Sequence, residues 1–387
     1  MPGMSAVAVM TALCFSGFGV LFATVPLWAV RSGADPAGAG VVNGVLMLLT
    51  VLTQTVIPWA LRRLGWAAVL TIGLLALGVP GPLYLISGDL GWLLLLSAVR
   101  GVGFGVITVC GSAAIAELTP PLMRGRAVGA YGLAISAPQI LTMTGAPWLA
   151  EKAGFAIVFA LGALPVVAIP AALLLARRLR EADAGTPGAE EEAQASVSRG
   201  RVLLMLVVPV VVLTLATSSG GALLTFMPQM VQHAALSLAG LFVLLTVAAV
   251  ARWWIGGLVD KRGSKGLAWP LLLCAGGGLV LVATVLPWHG VTTGVVALVI
   301  AGAALVGVAY GGLQSLTLVQ AFERAGQANS RLASAVWNIG FDSGTGLGST
   351  VVGALATWYS YPAALVVIAV VCGLAAVGTL APGRRSG

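Results

Sequence analysis

The chain has 387 residues, of which 59% are hydrophobic and only 8% are charged, and its formal net charge is +8. Soluble proteins carry about a quarter charged residues, so this composition, with a mean hydropathy of +1.03, excludes a soluble domain and indicates a polytopic membrane protein. The excess of basic over acidic residues is explained by positively charged cytoplasmic loops of a membrane protein, so it gives no support to a nucleic-acid partner.

Twelve apolar segments are long enough to span a bilayer, since about 20 apolar residues cross ~30 Å of hydrocarbon. We predict spans at 6–30, 38–61, 66–87, 91–116, 125–150, 155–176, 202–229, 236–258, 267–287, 291–318, 330–357 and 361–380. The polar segment 177–201, which contains the acidic cluster 190–192, is predicted to be a flexible linker. The expected architecture is all-α, with six spans in residues 1–176 and six in residues 202–387.

The basic residues are distributed unevenly over the predicted loops. With the N-terminus inside, sixteen of the 20 Lys and Arg residues fall on the cytoplasmic side and two outside. The remaining two, Arg100 and Arg252, lie within spans. This bias predicts that both termini are cytoplasmic and that the protein lies in the cytoplasmic membrane.

The two halves of the sequence share a pattern. Matching positions recur in order at nearly constant offsets: Gly19 and Gly221 (202), Gly101 and Gly307 (206), Arg126 and Arg331 (205), and Gly65 and Gly263 (198). With an even number of spans in each half, these matches predict a parallel internal repeat.

Three sequence features resemble those of the major facilitator superfamily. They are Gly256-x-x-x-Asp260-Lys261-x-Gly263-x-Lys265 between spans eight and nine, Arg100 before GVGFG, and Ala137-Pro138 in span five. The first-half copy of the loop differs, with Arg62 in place of the acid. The resemblance implies two six-helix bundles that work by alternating access, with spans 1, 4, 7 and 10 lining a cavity.

The resemblance also implies a function, a proton-coupled exporter of a drug or other small organic molecule. The expected partners are the cargo, protons and the lipid bilayer, and we expect a functional monomer. Uptake of a small nutrient remains open as an alternative within transport. A membrane enzyme or a non-transporting receptor is the alternative from another class, but no nucleophile–base set and no large soluble domain supports it.

Three charged residues within the spans are the candidates for proton coupling. Asp342 lies about twelve residues into span eleven, roughly 18 Å along a helix, where a charge needs a partner or water. Arg100 lies deep in span four, and Arg252 precedes the loop at the end of span eight. The alternative for Asp342 is an ion pair or a helix-terminus contact, and that for Arg252 is a structural pair with Asp342 or another polar group of span eleven. For Arg100 the resemblance implies proton coupling or anion binding, and the alternative is a snorkelling or locally paired arginine.

The loop after span eight is interpreted as a gate. Gly256 would let helices approach, Asp260 would accept from a neighbouring helix N-terminus near span five, and Gly263 would turn the chain, while Lys261 and Lys265 follow the positive-inside rule. Further cytoplasmic salt bridges are predicted among five residues: Glu117, Glu323, Arg124, Arg126 and Arg331.

Polar side chains within spans are candidates for contact with the cargo, although most such groups bond to neighbouring helices. The candidates are Asn43, Gln54, Gln139, Gln314, Asn338 and Trp337. The four cysteines, Cys14, Cys110, Cys274 and Cys372, stand singly in apolar segments, so we expect neither a metal site nor a cofactor.

Overall fold

The computed structural model describes residues 3–118, 124–184, 199–231, 233–286, 290–326 and 329–380. These residues form helices joined by short turns. The helices are α1 (Met4–Arg31), α2 (Pro36–Gly78), α3 (Pro80–Leu83), α4 (Leu90–Leu118), α5 (Arg124–Ala153), α6 (Phe155–Leu161), α7 (Leu164–Val167), α8 (Ile169–Ala184), α9 (Arg199–Met230), α10 (Ala234–Arg262), α11 (Ala268–Val285), α12 (Thr293–Ala325), α13 (Ser330–Trp358) and α14 (Tyr361–Leu380). Contacts divide the chain into two compact units, Met1–Glu191 (unit 1) and Glu192–Gly387 (unit 2).

Nine helical stretches in the described part of the chain are long and apolar enough to cross a membrane. One of them, Pro36–Leu83, has 48 residues and contains both the second and the third predicted spans. Helices α5 and α13, at the positions of the fifth and eleventh predicted spans, are outside these nine. The prediction of an all-helical membrane protein is confirmed.

Local signals explain where several helices begin. Asp35 precedes α2, and its carboxylate accepts a hydrogen bond from the Gly38 backbone N–H at 2.8 Å, while Pro36 occupies the first turn. Thr292 caps α12 in the same way, accepting from the Val295 N–H at 3.2 Å. These short polar side chains satisfy donors that the first helical turn leaves without a partner.

The sequence match between Gly65 and Gly263 reappears in the backbone. Gly65 lies at a kink inside α2 with φ 75° and ψ 166°, and Gly263 follows α10 with φ 78° and ψ 170°. A positive φ is costly for residues with a Cβ, which accounts for glycine at both turns. The first-half loop therefore keeps the turn of the second-half loop although its charges differ.

In unit 1, α2 packs closely against α4 through small residues. A Cβ on Gly101 would overlap the Leu46 carbonyl, and one on Gly105 would lie 2.7 Å from the Thr50 carbonyl oxygen. The Thr50 hydroxyl also donates to the Gly101 carbonyl at 3.1 Å. Glycine is needed at both positions because the two backbones touch.

In unit 2, α10 and α12 meet in the same way. A Cβ on Gly307 would lie 2.6 Å from the Leu244 carbonyl oxygen, and one on Gly311 would overlap the Ala248 carbonyl. Leu244 and Ala248 follow Leu46 and Thr50 at an offset of 198, while the glycines of α12 follow those of α4 at 206. The predicted repeat is thus visible in the packing of each unit.

A second close helix pair in unit 2 joins α9 to α13. The Ser218 hydroxyl donates to the Gly344 carbonyl at 2.9 Å, and Thr214 donates to the Gly340 carbonyl at 3.3 Å. A Cβ on Gly344 or Gly348 would overlap α9. These contacts fix the helix that carries Asp342.

Two predicted boundaries differ from the observed helices. The sixth predicted span, 155–176, is broken into α6, α7 and the start of α8, with proline in the first turn of α7 where its missing N–H does no harm. Helix α8 also continues through 177–184, and α9 begins at Arg199, so both ends of the expected linker are helical. Residues 185–198, with the acidic cluster, lie outside the described residues.

Candidate functional site

Arg100 is fully buried in the middle of α4 of unit 1. Among the residues that the structure describes, none forms a hydrogen bond with its Nε, Nη1 or Nη2 atoms. The guanidinium carbon lies 5.9 Å from the centre of the Tyr84 ring, a cation–π distance, and the Tyr84 hydroxyl is 2.9 Å from Ser97 Oγ. A buried guanidinium needs hydrogen-bond acceptors to offset the loss of its water, and the described residues supply none.

The described acidic side chains of unit 1 lie at or near helix ends, and one of them, Glu117, is exposed at the end of α4 that lies 17 residues from Arg100. Asp35 and Asp89 accept hydrogen bonds from backbone N–H groups at helix starts. Glu151 pairs with Arg31 at 3.1 Å, and Glu181 pairs with Arg178 at 3.0 Å. The described part of unit 1 therefore supplies neither a carboxylate nor another hydrogen-bond acceptor to the Arg100 guanidinium.

Asp342 lies on α13 of unit 2 with only 5% of its surface exposed. It is within electrostatic range of Tyr310 on α12, and Tyr310 is also within range of Arg252 on α10. Arg252 itself is exposed, and its carbonyl accepts a hydrogen bond from Ser315 of α12 at 2.7 Å. Two of the three predicted coupling residues, Arg252 and Asp342, thus lie in unit 2, and Arg100 lies in unit 1.

The equivalent positions of the other unit carry different residues. Arg100 corresponds to Val306, which is fully buried in unit 2. Arg252 corresponds to Gln54 and Tyr310 to Phe104, and the matching turn of α5, 137–139, carries no charge. Each unit therefore keeps the shared helix packing but has its own charged or hydroxyl-bearing residues.

Several predicted cargo contacts form hydrogen bonds within their own unit. Asn43 Nδ2 donates to the Phe22 carbonyl at 3.0 Å, and Gln54 Nε2 donates to Thr108 Oγ1 at 3.3 Å. Trp337 Nε1 donates to Thr317 Oγ1 at 3.0 Å, and Asn338 donates to the Ser334 carbonyl at 2.9 Å.

Trp337 also belongs to an apolar cluster with residues of α9 and α12, which is a core environment. Gln314 is buried and Gln139 is half-buried. The role of all six side chains in cargo binding stays a prediction.

The gating segment is described in part. Gly263 makes the predicted turn, and Lys261 and Lys265 are exposed. A Cβ on Gly256 would meet its nearest neighbour, Ser315 Oγ, at 3.9 Å, an ordinary contact, so this packing does not require glycine. The side chain of Asp260 lies outside the part of the chain that the structure describes.

Glu323 binds to the gating segment. The Ser264 hydroxyl donates to Glu323 Oε2 at 2.6 Å, and Gln320 Nε2 donates to the Ser264 carbonyl at 3.0 Å. Arg324, the next residue along α12, donates to the Met205 carbonyl at 3.1 Å. The side chains of Arg124, Arg126 and Arg331 lie outside the described residues, so the predicted bridges of Glu117 and Glu323 to them stay predictions.

Sequence reasoning missed Tyr310, Tyr84 and Ser264. The repeat alignment held a signal for Tyr310, because GVGFG becomes GVAYG and only the second copy carries a hydroxyl. No comparable signal marks Tyr84, since its contact with Arg100 depends on how α3 and α4 are placed in space. Ser264 sits in the gating motif, but its bond to Glu323 joins positions 59 residues apart.

The fold is shared with solved transporter structures. A bacterial homologue of the human lysosomal transporter Spinster, in an inward-facing and unoccupied conformation, is similar with a TM-score of 0.74 and 14% identity, over 97% of this chain and 95% of that one. The nucleoside transporter NupG is similar with a TM-score of 0.72 and 13% identity, over 98% and 99%. The inward-open xylose transporter XylE from E. coli is similar with a TM-score of 0.72 and 15% identity, over 98% and 96%.

At such identities these likenesses show the fold alone. No curated protein sequence matches this chain. The sequence model of the Major Facilitator Superfamily, however, matches residues 7–332, which is most of the chain. The chain belongs to the major facilitator superfamily.

Proposed function

We propose that this transporter exports a small organic molecule across the cytoplasmic membrane in exchange for protons. It would work by alternating access, with twelve spans in two bundles of six, both termini in the cytoplasm and a single chain as the functional form. Membership of the superfamily supports transport, and the positive-inside bias of the sequence supports the orientation.

The depth and burial of Asp342 in α13 are the observations that support proton coupling. It lies about 18 Å along α13 at 1.5 Å per residue, and its side chain is nearly closed to solvent. A carboxylate at such a depth is costly when charged and can be carried across the cycle in its neutral form, so protonation changes the free energy of the state that buries it. A coupling ion needs a site of this kind.

Arg100 is proposed as the second charge of the transport cycle. Its nitrogen atoms can each donate hydrogen bonds, and the described residues offer them no acceptor. An anionic group of the cargo would supply acceptors in the flat geometry that a guanidinium binds well. Val306 fills the equivalent place in unit 2 without a charge, and this supports a role for the Arg100 charge beyond the shared packing.

The experiment is transport in proteoliposomes with an imposed pH gradient, using a panel of neutral and anionic organic molecules. We expect Asp342→Asn to reduce gradient-driven movement of the transported molecule to the level of empty vesicles. Glu181→Gln is the matched control, because Glu181 is exposed and pairs only along its own helix with Arg178. Equal gradient-driven transport in all three proteins would refute proton coupling through Asp342.

The sign of the gradient decides between export and uptake. Movement against the proton gradient indicates exchange and supports export, whereas movement with the protons indicates uptake and contradicts the proposed direction. Both outcomes leave the role of Asp342 intact if the Asp342→Asn protein fails in each.

A further inference from the structure

A series of hydrogen-bonded side chains in unit 2 joins α14, α9 and α13. The Tyr361 hydroxyl donates to Gln229 Oε1 at 3.0 Å, and Gln229 Nε2 donates to the Thr225 carbonyl at 3.3 Å. The hydroxyl oxygens of Thr225 and Ser349 lie 2.7 Å apart, and either of them can donate. The series thus passes from the first residue of α14 through α9 to α13.

Along α13 the same polar face leads to Asp342. Ser349 Oγ donates to the Thr345 carbonyl at 3.1 Å, and Thr345 Oγ1 donates to the Phe341 carbonyl at 3.0 Å. Thr345 and Ser349 follow Asp342 by three and seven residues, the spacing at which helical side chains share a face. The polar column, as we call this set, consists of six side chains: Tyr361, Gln229, Thr225, Ser349, Thr345 and Asp342.

Burial increases along the polar column from one end. Tyr361 and Gln229 are half-buried, whereas the three hydroxyl-bearing residues that follow have at most 4% of their surface exposed. Asp342 is 5% exposed. The positive-inside bias predicts that the last turn of α9 and the first turn of α14 lie on the external side, so the half-buried pair marks the external end of the column.

The polar column is specific to unit 2. Five of its six positions have apolar equivalents in unit 1, at offsets of 202 for α9, 205 for α13 and 206 for the start of α14: Ala23, Leu27, Ala137, Ile140 and Phe155. The sixth equivalent, Thr144, donates to the Ile140 carbonyl of its own helix at 2.6 Å. The hydrogen-bonding side chains are therefore found in the unit that carries Asp342.

Asp342 is the acid to which the polar column leads. Helices α9, α12 and α14 pack against α13. In the described parts of these three helices, the charged side chains lie in the first or last turns, and the other titratable groups are Tyr310, Tyr361 and Cys372. Among the described residues of the four helices, Asp342 is thus the carboxylate placed away from a helix end.

We propose that the polar column is the external route by which a proton reaches Asp342. The proposal rests on the proposed coupling role of Asp342 and adds the path from the external side. Hydroxyl groups suit this task because each can donate and accept. The 2.7 Å contact between Thr225 and Ser349 is the step that crosses from α9 to α13.

The transfer conserves charge along the route. A proton from external water passes through the hydroxyl groups and the water between them, and each oxygen gives up one proton as it receives another. The proton ends in the O–H bond of the Asp342 carboxyl group, so only the carboxylate loses its charge.

The test is side-specific labelling of Asp342 by dicyclohexylcarbodiimide, which reacts with protonated carboxyl groups in apolar surroundings. Right-side-out membrane vesicles that hold an alkaline buffer are acidified from outside only. The adduct is quantified by mass spectrometry on the full-length protein, so no knowledge of the cargo is needed. Thr225→Val keeps the shape of the side chain and removes its hydroxyl. Thr284→Val is the matched control, because Thr284 is exposed and its hydroxyl donates to Leu281 of its own helix.

We expect external acidification to increase the labelling of Asp342 in the wild type and in Thr284→Val. In Thr225→Val this increase should be lost, and Thr225→Ser, which keeps the hydroxyl, should retain it. Ser349→Ala removes the partner hydroxyl and should behave as Thr225→Val does. A full increase in Thr225→Val would overturn the proposal.

Inverted vesicles show whether the loss concerns the route or the carboxyl group itself. Acidification of the medium then reaches the cytoplasmic side, where Asn338, one turn before Asp342 on the same face of α13, is exposed. Thr225→Val should therefore be labelled as the wild type is in these vesicles. An equal loss of labelling in both kinds of vesicle would assign Thr225 to the environment of Asp342 and reject the external route.

The outcomes separate this proposal from the proposed function. Wild-type Asp342 that is labelled after cytoplasmic but not after external acidification rejects the polar column as a route and keeps coupling. Asp342 that is unlabelled under every condition, together with normal gradient-driven transport by Asp342→Asn, rejects coupling itself. Thermal unfolding of each variant shows whether a change reflects damage to the fold.

Discussion

Units 1 and 2 use one packing pattern and two different sets of polar residues. Gly101 and Gly105 touch α2 as Gly307 and Gly311 touch α10, and the turns at Gly65 and Gly263 share their backbone angles. The charged residues deep within the helices, Arg100, Arg252 and Asp342, do not follow the repeat. The comparison teaches that the backbone contacts of the duplicated scaffold are shared, while the charged residues within the helices differ between the units.

The first prediction tests whether the close helix contacts shared by the two units require glycine. Gly105→Ala and Gly311→Ala each force a Cβ onto a neighbouring carbonyl, and we expect each to lower stability by about 1–3 kcal/mol or more. The measurement is thermal unfolding with the yield of monodisperse protein.

The controls for these variants are Gly145→Ala and Gly277→Ala, where no atom lies within 4 Å of the added Cβ. They should be neutral or stabilising, since alanine favours helices by about 1 kcal/mol over glycine. A large loss in one unit and none in the other would show that the packing is not truly repeated.

The second prediction concerns a residue that the two units do not share. Arg100→Met replaces a buried guanidinium, for which the described residues supply no hydrogen-bond acceptor, with an apolar chain of similar length, as the repeat does with Val306. We expect stability to be unchanged or raised by ~1–4 kcal/mol, because removal of a buried charge ends its desolvation cost. Transport should fall about 10- to 100-fold, as for the loss of a charged hydrogen bond.

Thermal unfolding and initial transport rates measured on the same preparation test this separation of stability from activity. Arg31→Met is the control, because Arg31 is exposed and its partner Glu151 is on the surface. A clear fall in stability with normal transport would assign Arg100 to the fold instead.

The smallest expected effect concerns the loop of unit 2. Ser264→Ala removes the hydrogen bond to Glu323, and position 66 of unit 1, its equivalent, is a tryptophan. We expect backbone amides of residues 263–267 to exchange with deuterium about fivefold faster, as for a bond worth ~1 kcal/mol. Ser264→Thr keeps the hydroxyl and should exchange as the wild type does. Equal exchange in all three proteins would show that the hydrogen bond from Ser264 to Glu323 does not stabilise this segment.

Much of this architecture could be predicted from the sequence, because a backbone in lipid must satisfy its own hydrogen bonds and long apolar segments therefore form helices. Apolar runs locate helices, and the repeat alignment located the glycines that later proved to touch neighbouring backbones. Arg100, Arg252 and Asp342 stood out because charges are rare in such segments. The fused helix through Gly65 was not predicted, since hydropathy separates spans but does not show whether a turn breaks the helix.

The arrangement of the site depended on helix rotation, which hydropathy does not report. Tyr310 reads as an ordinary interfacial or core aromatic until its distance from Phe341 and its contact with Gly220 are known. Trp337 and Gln54 read as cargo contacts, whereas their hydrogen bonds join helices of the same unit. Partners far apart in the chain are fixed by tertiary packing and leave no local pattern.

In the proposed cycle, Asp342 carries the proton that is exchanged for the cargo. The most direct measurement is the pH inside proteoliposomes, recorded with an entrapped pH-sensitive dye while cargo is added to vesicles without an imposed gradient. The wild-type protein should produce a cargo-dependent pH change, and Asp342→Asn should exchange labelled for unlabelled cargo without one. A pH change of equal size in the Asp342→Asn protein would contradict the account.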